Sequence, residues 1–251
     1  MNGDTAYFYG FVASVIAAAM SAFGIFAMAS FGDWAKRNSA YSSSFAVGLL
    51  TVGVLFHLIP EAASESQLAL LWLAVGFAGM VLIGITVQSI FHSGPEGAAL
   101  TFGYASIIAL ASHSFLDGAI YAASFQDEIF TGWIATSGLL FHEFPEGVIA
   151  YALLAQAGLR RGRAILLAMI ASALTTIAGT IISLILLDVS GEIPIPAMLG
   201  IAAGALIYVL IVHLGPDAAK TPGRRGYDLA MLGVLSGTIA IVLQQLGGGH
   251  H

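Results

Sequence analysis

Apolar residues dominate this chain in eight stretches, each bounded by a short polar turn. A helix needs about 20 apolar residues to cross a bilayer core. The stretches run at about 5–30, 41–62, 67–91, 99–123, 129–157, 163–187, 194–216 and 227–246, so each predicts a membrane-spanning helix. The connections are too short for a separate soluble domain, and residues 1–246 read as a single transmembrane domain. The first stretch lacks a basic leader and reads as a span rather than a cleavable signal. The closing Gly-Gly-Gly-His-His of residues 247–251 reads as a tag remnant, and His250 and His251 are set aside on that ground.

Composition agrees with this pattern. Apolar residues make up 58% of the 251, and Asp, Glu, Lys and Arg only 9%. Soluble domains carry about 25% charged residues, so a water-facing surface is excluded. There is no cysteine, which removes disulfides and thiolate metal ligands.

The eight basic residues decide orientation. Lys36, Arg37, Arg160, Arg161, Arg163, Lys220, Arg224 and Arg225 fall after spans one, five and seven. Those loops share one side, which the positive-inside rule makes cytoplasmic. Both termini are then expected outside, in a multi-pass protein of the cell membrane. The opposite loops carry Glu65, Asp127, Glu128, Asp188 and Glu192. Arg160, Arg161 and Arg163 read as an anchor at anionic lipid, Trp34 and Trp133 as interface anchors, and His92 as a loop surface residue.

Four short strings depart from the apolar background. His57-Leu-Ile-Pro-Glu-Ala62 closes span two, and His213-Leu-Gly-Pro-Asp-Ala218 closes span seven. His113-Ser-Phe-Leu-Asp-Gly118 lies in span four, and His142-Glu-Phe-Pro-Glu-Gly147 in span five. Each pair sits on spans of opposite direction. Spans 1–3 are therefore expected to mirror 6–8 about spans 4 and 5, a 3+2+3 inverted repeat of the kind secondary transporters use.

Residues four apart on a helix share a face. His113 with Asp117, and His142 with Glu146, thus offer two imidazoles and two carboxylates from neighbouring spans. That donor set suits a divalent first-row metal, zinc best among them. Two carboxylates also cancel a double positive charge. Asp inside a span costs about 2.5–3.5 kcal/mol on insertion scales, which a bound cation or a partner would offset. Gly118 and Gly147 are expected to let spans four and five approach closely, and Pro145 to kink span five and free the Phe141 carbonyl. The carboxylates without metal would instead form a proton relay. His57 with Glu61 reads either as a solvated helix end or as an outer mouth for the ion. His213 with Asp217 has the same two readings at the inner end.

At these residues the whole chain resembles the ZIP (Zrt-, Irt-like) family of divalent metal transporters. The resemblance implies an all-α membrane protein with eight transmembrane helices in a 3+2+3 inverted-repeat bundle, often a homodimer. It also implies an elevator-like motion that carries Zn2+, or Fe2+, Mn2+, Co2+ or Cd2+, toward the cytoplasm, with no prosthetic group and no enzyme activity. His113, Asp117, His142 and Glu146 match the family's metal ligands, and Glu143 matches a further one. Ser114 stands where the family usually has Asn, and Thr175 and Thr176 where several members carry an acid. A second metal site at Ser114 and Thr176 is therefore expected to be weak and the site mainly mononuclear. A rival reading makes His142-Glu143-Phe-Pro-Glu146 the zinc site of an intramembrane hydrolase, with Glu143 as base. A cation or proton channel is the third reading. The chain has no phosphate-binding loop, and Lys36 and Lys220 both lie in loops, which excludes an intramembrane Schiff base.

Overall fold

The structure is a computed structural model describing residues 3–31, 39–91, 94–126, 129–221 and 223–247. Trp34, Lys36, Arg37, His92, Asp127, Glu128, His250 and His251 lie outside the described residues, as does the side chain of Glu65.

Helices account for almost all of the described chain. α1 is Gly3–Ser30. α2 joins Ser39–Gly53, a π turn at Val54–Leu58, and Ile59–Glu65. α3 is Ala69–Phe91, α4 Pro95–Ser124 and α5 Ile129–Gln156. α6 joins Arg161–Ala168, a π turn at Met169–Leu174, and Thr175–Ser190. α7 joins Ile195–Tyr208, a π turn at Val209–Leu214, and Gly215–Ala218. α8 is Arg224–Gly247. Arg160, Arg161 and Arg163 are exposed at the start of α6.

Among the described residues, seven of these helices are long and apolar enough to cross a membrane. α5 is the exception. It has 28 residues, but His142, Glu143, Pro145 and Glu146 lower its hydropathy. The residues that make this helix chemically interesting also weaken its signature as a span.

The π turns were not foreseen from sequence, although two have a visible cause. Proline lacks an N–H, and its ring collides with the carbonyl four residues earlier. For Pro60 and Pro216 those carbonyls belong to Phe56 and Val212, inside the π turns of α2 and α7. Widening the turn relieves the collision. In α6 the Ser172 and Thr175 hydroxyls instead bond the carbonyls of Ala168 and Ile170, at 2.9 and 2.6 Å. Pro145, by contrast, sits inside α5 without interrupting its helical assignment.

Helix pairing carries the inverted repeat beyond the motifs. α1 packs on α5 and α4 on α6, while α2 packs on α8 and α7 on α3. Exchanging 1 with 6, 2 with 7, 3 with 8 and 4 with 5 leaves that list unchanged. Two helix groups result: α1, α4, α5 and α6, and α2, α3, α7 and α8.

Reciprocal glycines make these four crossings. A Cβ on Gly147 of α5 would lie 2.0 Å from the Ser21 carbonyl oxygen of α1, and one on Gly24 of α1 would lie 2.1 Å from that of Phe144. The mirror crossing sets Gly118 of α4 against Thr176 and Gly179 of α6 against Phe115, each at 2.1 Å. Gly48 and Gly233 join α2 to α8 in the same manner, and Gly76 and Gly204 join α3 to α7. Without side chains the backbones meet directly, the usual basis of close helix packing in lipid. This corrects one expectation. Gly118 and Gly147 do not bring α4 and α5 together; each presses its helix against an outer partner, α6 or α1.

Candidate metal centre

α4 and α5 exchange with each other under the repeat, so they lie at its centre. His113 and Asp117 are one turn apart on α4, and His142 and Glu146 one turn apart on α5. One donor atom from each of the four lies within 4.8 Å of the others. Asp117 Oδ2 is central, at 3.5 Å from His113 Nε2 and 3.4 Å from His142 Nε2. Those lengths exceed good N–H···O bonds. They match the edge of a tetrahedron around zinc, since bonds of about 2.0–2.1 Å place neighbouring donors about 3.3–3.4 Å apart. The two imidazole rings lie 5.7 Å apart, tilted by 36°.

The site is enclosed. Asp117 is 1% exposed and Glu146 4%. The His113 and His142 side chains retain 12% and 20% exposure. A cavity of about 70 Å3 opens onto His57, His113, His142 and Glu146 between apolar walls that include Leu50 and Leu110. Buried carboxylates without compensation are strongly destabilising. Yet Glu146 Oε2 and Glu143 Oε2 are buried with no hydrogen-bond partner. An atom left in that state is suited to a ligand.

The remaining residues singled out from sequence fall around this centre. Glu143 is fully buried and outside the four-donor group; its Oε1 accepts the Tyr121 hydroxyl at 3.2 Å. Ser114 donates to Glu146 Oε1 or to the Leu110 carbonyl, and its single proton serves one at a time. Thr176 donates back to the Ser172 carbonyl at 2.7 Å. His57 Nδ1 contacts Glu61 Oε2 at 3.1 Å, and His57 lines the same cavity as His113, His142 and Glu146.

His213 and Asp217 share a second cavity with Gln156 and Lys220 but have different partners. The His213 ring stands edge-on to Phe102 and Tyr208, and its Nε2 is buried with no partner. Asp217 accepts from Ser43 at 2.7 Å, from Lys220 at 3.1 Å, and from Gln156.

Sequence reasoning missed Tyr121, Ser43 and Gln156. Tyr121 lies four residues beyond Asp117 and continues its helical face, so spacing alone could have flagged it. Gln156 is a bare amide at the end of an apolar run. Ser43 carries no signal distinguishable from its neighbouring serines.

Residues 89–245, more than half the chain, match the family described as ZIP Zinc transporter. The chain belongs to that family. Similar curated proteins include "Zinc transporter SLC39A7" of Canis lupus familiaris, 31% identical over 147 residues, which are 56% of this chain and 31% of that protein. "Zinc transporter ZIP13" of Pongo abelii is 28% identical over 222 residues, covering 81% and 66% of the two chains. "Zinc transporter ZIP4" of Mus musculus is 33% identical over 140 residues, covering 54% and 21%. The first of these matches spans only about a third of its relative's length. ZIP family members are transporters rather than enzymes, so the hydrolase reading is not favoured. Together with the seven apolar helices, membership makes this a multi-pass membrane protein.

Proposed function

We propose that this chain carries divalent transition-metal ions, zinc foremost, across the cell membrane toward the cytoplasm. His113, Asp117, His142 and Glu146 would hold the ion near the bilayer midplane, with α5 as the eighth span of a single transmembrane domain and both termini outside. Fe2+, Mn2+, Co2+ and Cd2+ have the same preference for mixed imidazole and carboxylate donors and are the alternative cargoes. A homodimer in the lipid bilayer is the assembly we infer from family resemblance.

One observation carries this reading: four donor atoms from two adjacent helices, paired one turn apart on each, converge within 4.8 Å. Two carboxylates neutralise the ion, so the loaded centre presents little net charge to its apolar walls. Glu61 and Asp188 would raise the cation's local concentration at the outer face. His213 with Asp217 remains our candidate for the inner exit, where the ion would compete with Lys220 for Asp217. Zinc uptake into proteoliposomes tests the function. Saturable zinc flux supports it, and its absence in correctly inserted protein argues against it.

A mainly mononuclear site is supported by the partners of two second-site candidates: Ser114 is engaged by Glu146 or Leu110, and Thr176 by its own helix. Glu143 accepts from Tyr121 through Oε1, while its Oε2 has no hydrogen-bond partner. Purified protein is expected to bind one zinc per chain at its tight site, by metal analysis after desalting. In Ser114→Asn a second ion becomes easier to hold; two ions in the unaltered chain would contradict the assignment.

Elevator-type motion, with α1, α4, α5 and α6 moving past α2, α3, α7 and α8, is supported by the packing of these helices into two groups. Gln156 of α5 donates to Asp217 of α7, joining the groups on the side of the basic loops. Gln156→Leu removes a hydrogen bond to a charged group, worth about 1.5–3 kcal/mol, while Ser43 and Lys220 still satisfy Asp217. The chain has no native cysteine, so a cysteine at Ala99, on the inner cavity, is a clean reporter. Its labelling from the basic-loop side by an impermeant thiol reagent is expected to rise about tenfold in Gln156→Leu. Unchanged labelling would show that this contact does not hold the groups together.

A further inference from the structure

The two π turns preceding Pro60 and Pro216 carry His57 and His213 at related positions, but the side chains have different surroundings. His213 packs edge-on to two aromatic rings. His57 faces the cavity that His113, His142 and Glu146 line, with its side chain 18% exposed and its Nδ1 3.1 Å from Glu61 Oε2. A carboxylate at Nδ1 holds the proton on that nitrogen, which leaves the Nε2 lone pair free. This is the arrangement by which carboxylates orient histidines toward metals. π turns are also common at functional positions.

We propose that His57, oriented by Glu61, is a fifth donor to the ion held by His113, Asp117, His142 and Glu146. The inference rests on the reading of those four residues as metal ligands and adds a ligand from the other helix group. Its consequence is mechanical. Four donors belong to α4 and α5, whereas His57 belongs to α2. His57 lies outside the group whose donors converge within 4.8 Å, so an ion bound by all five would draw the two groups closer and tie them together. Moving the groups apart leaves His57 behind and returns the ion to four-coordination, a geometry zinc accepts readily. The ion thereby binds one arrangement better than the other, which is the requirement for a ligand to bias a conformational equilibrium. His57 thus distinguishes the loading arrangement from the carrying one.

Zinc K-edge X-ray absorption on the purified full chain, loaded with half an equivalent of zinc so that only the tightest site fills, counts the imidazoles directly. Three are expected in the unaltered protein and two in His57→Ala. Glu61→Gln is expected to weaken zinc binding about tenfold, and to cause no further loss in the His57→Ala background, because Glu61 acts through His57. Two imidazoles in the unaltered protein, falling to one in His142→Ala, would overturn the role of His57 and leave the four-donor centre standing. A count indifferent to His142→Ala would overturn both. Should His57→Ala fail to fold, the count in the unaltered chain and in His57→Gln decides the matter.

Discussion

His142→Ala abolishes saturable zinc uptake in proteoliposomes, lowering it by more than about 100-fold. Loss of a partner that merely orients a metal ligand costs about 10–100-fold in affinity, and His142 would be a ligand itself. The damage extends beyond one missing nitrogen. His142 Nε2 stands 3.4 Å from Asp117 Oδ2, so its removal leaves a buried carboxylate with one fewer neighbour able to donate. The replacement methyl lines the cavity wall and cannot hydrate the ion in compensation. Measuring initial rates of zinc entering vesicles, with equal amounts of monodisperse protein inserted, separates this effect from misfolding. Uptake within a few-fold of the unaltered protein would remove His142 from the centre.

Gly147→Val is expected to destabilise the fold and displace the site together. The added Cβ would lie 2.0 Å from the Ser21 carbonyl oxygen and 3.1 Å from the Ile25 nitrogen. These are backbone atoms in a helix, so α1 must move as a unit. Overpacking of a close-packed interior costs about 1–3 kcal/mol or more, and here the strain falls one residue from Glu146. A large drop in Tm in detergent is expected, accompanied by weaker zinc binding. Gly79→Ala is the control. Its Cβ would meet nothing within 4 Å, and alanine is the better helix former by about 1 kcal/mol, so Tm should hold or rise. Equal Tm for Gly147→Val and the unaltered chain would show that α1 and α5 do not meet as closely as the structure places them.

Much of this architecture was legible in the sequence, for physical reasons that differ from helix to helix. Spans such as Ala69–Ile90 declare themselves because a helix in lipid must be apolar all round. The His-x-x-x-carboxylate pairs were equally visible, since polar residues in such a background need a reason. Their helical spacing fixed which side chains share a face. Spacing on one helix does not say which neighbour that helix meets, and the glycines show the limit. Gly118 and Gly147 announced close contacts, yet their partners are α6 and α1. Only the full set of crossings, with Gly24 and Gly179 answering them, identifies the pairs.

The partners of individual polar atoms were hidden for a related reason. Glu143 follows His142 directly, and adjacent helical residues point about 100° apart. Its Oε1 accepts from Tyr121, and Glu143 falls outside the group of four converging donors. His57 lies far from His113 in sequence and reads as a helix end, but the turn ahead of Pro60 places it on the cavity. Asp217 looked like a partner for His213 because the two are four apart. Competition from Gln156, Ser43 and Lys220 directs it elsewhere.

The central claim is that one divalent ion is shared between donors of two adjacent helices. An anomalous difference map at the zinc edge, from crystals of the zinc-loaded protein, tests it most directly. The account predicts a single strong peak about 2.0–2.2 Å from His113 Nε2, Asp117 Oδ2, His142 Nε2 and a Glu146 oxygen. A peak held elsewhere, with those four side chains bonded only to protein atoms, would contradict it.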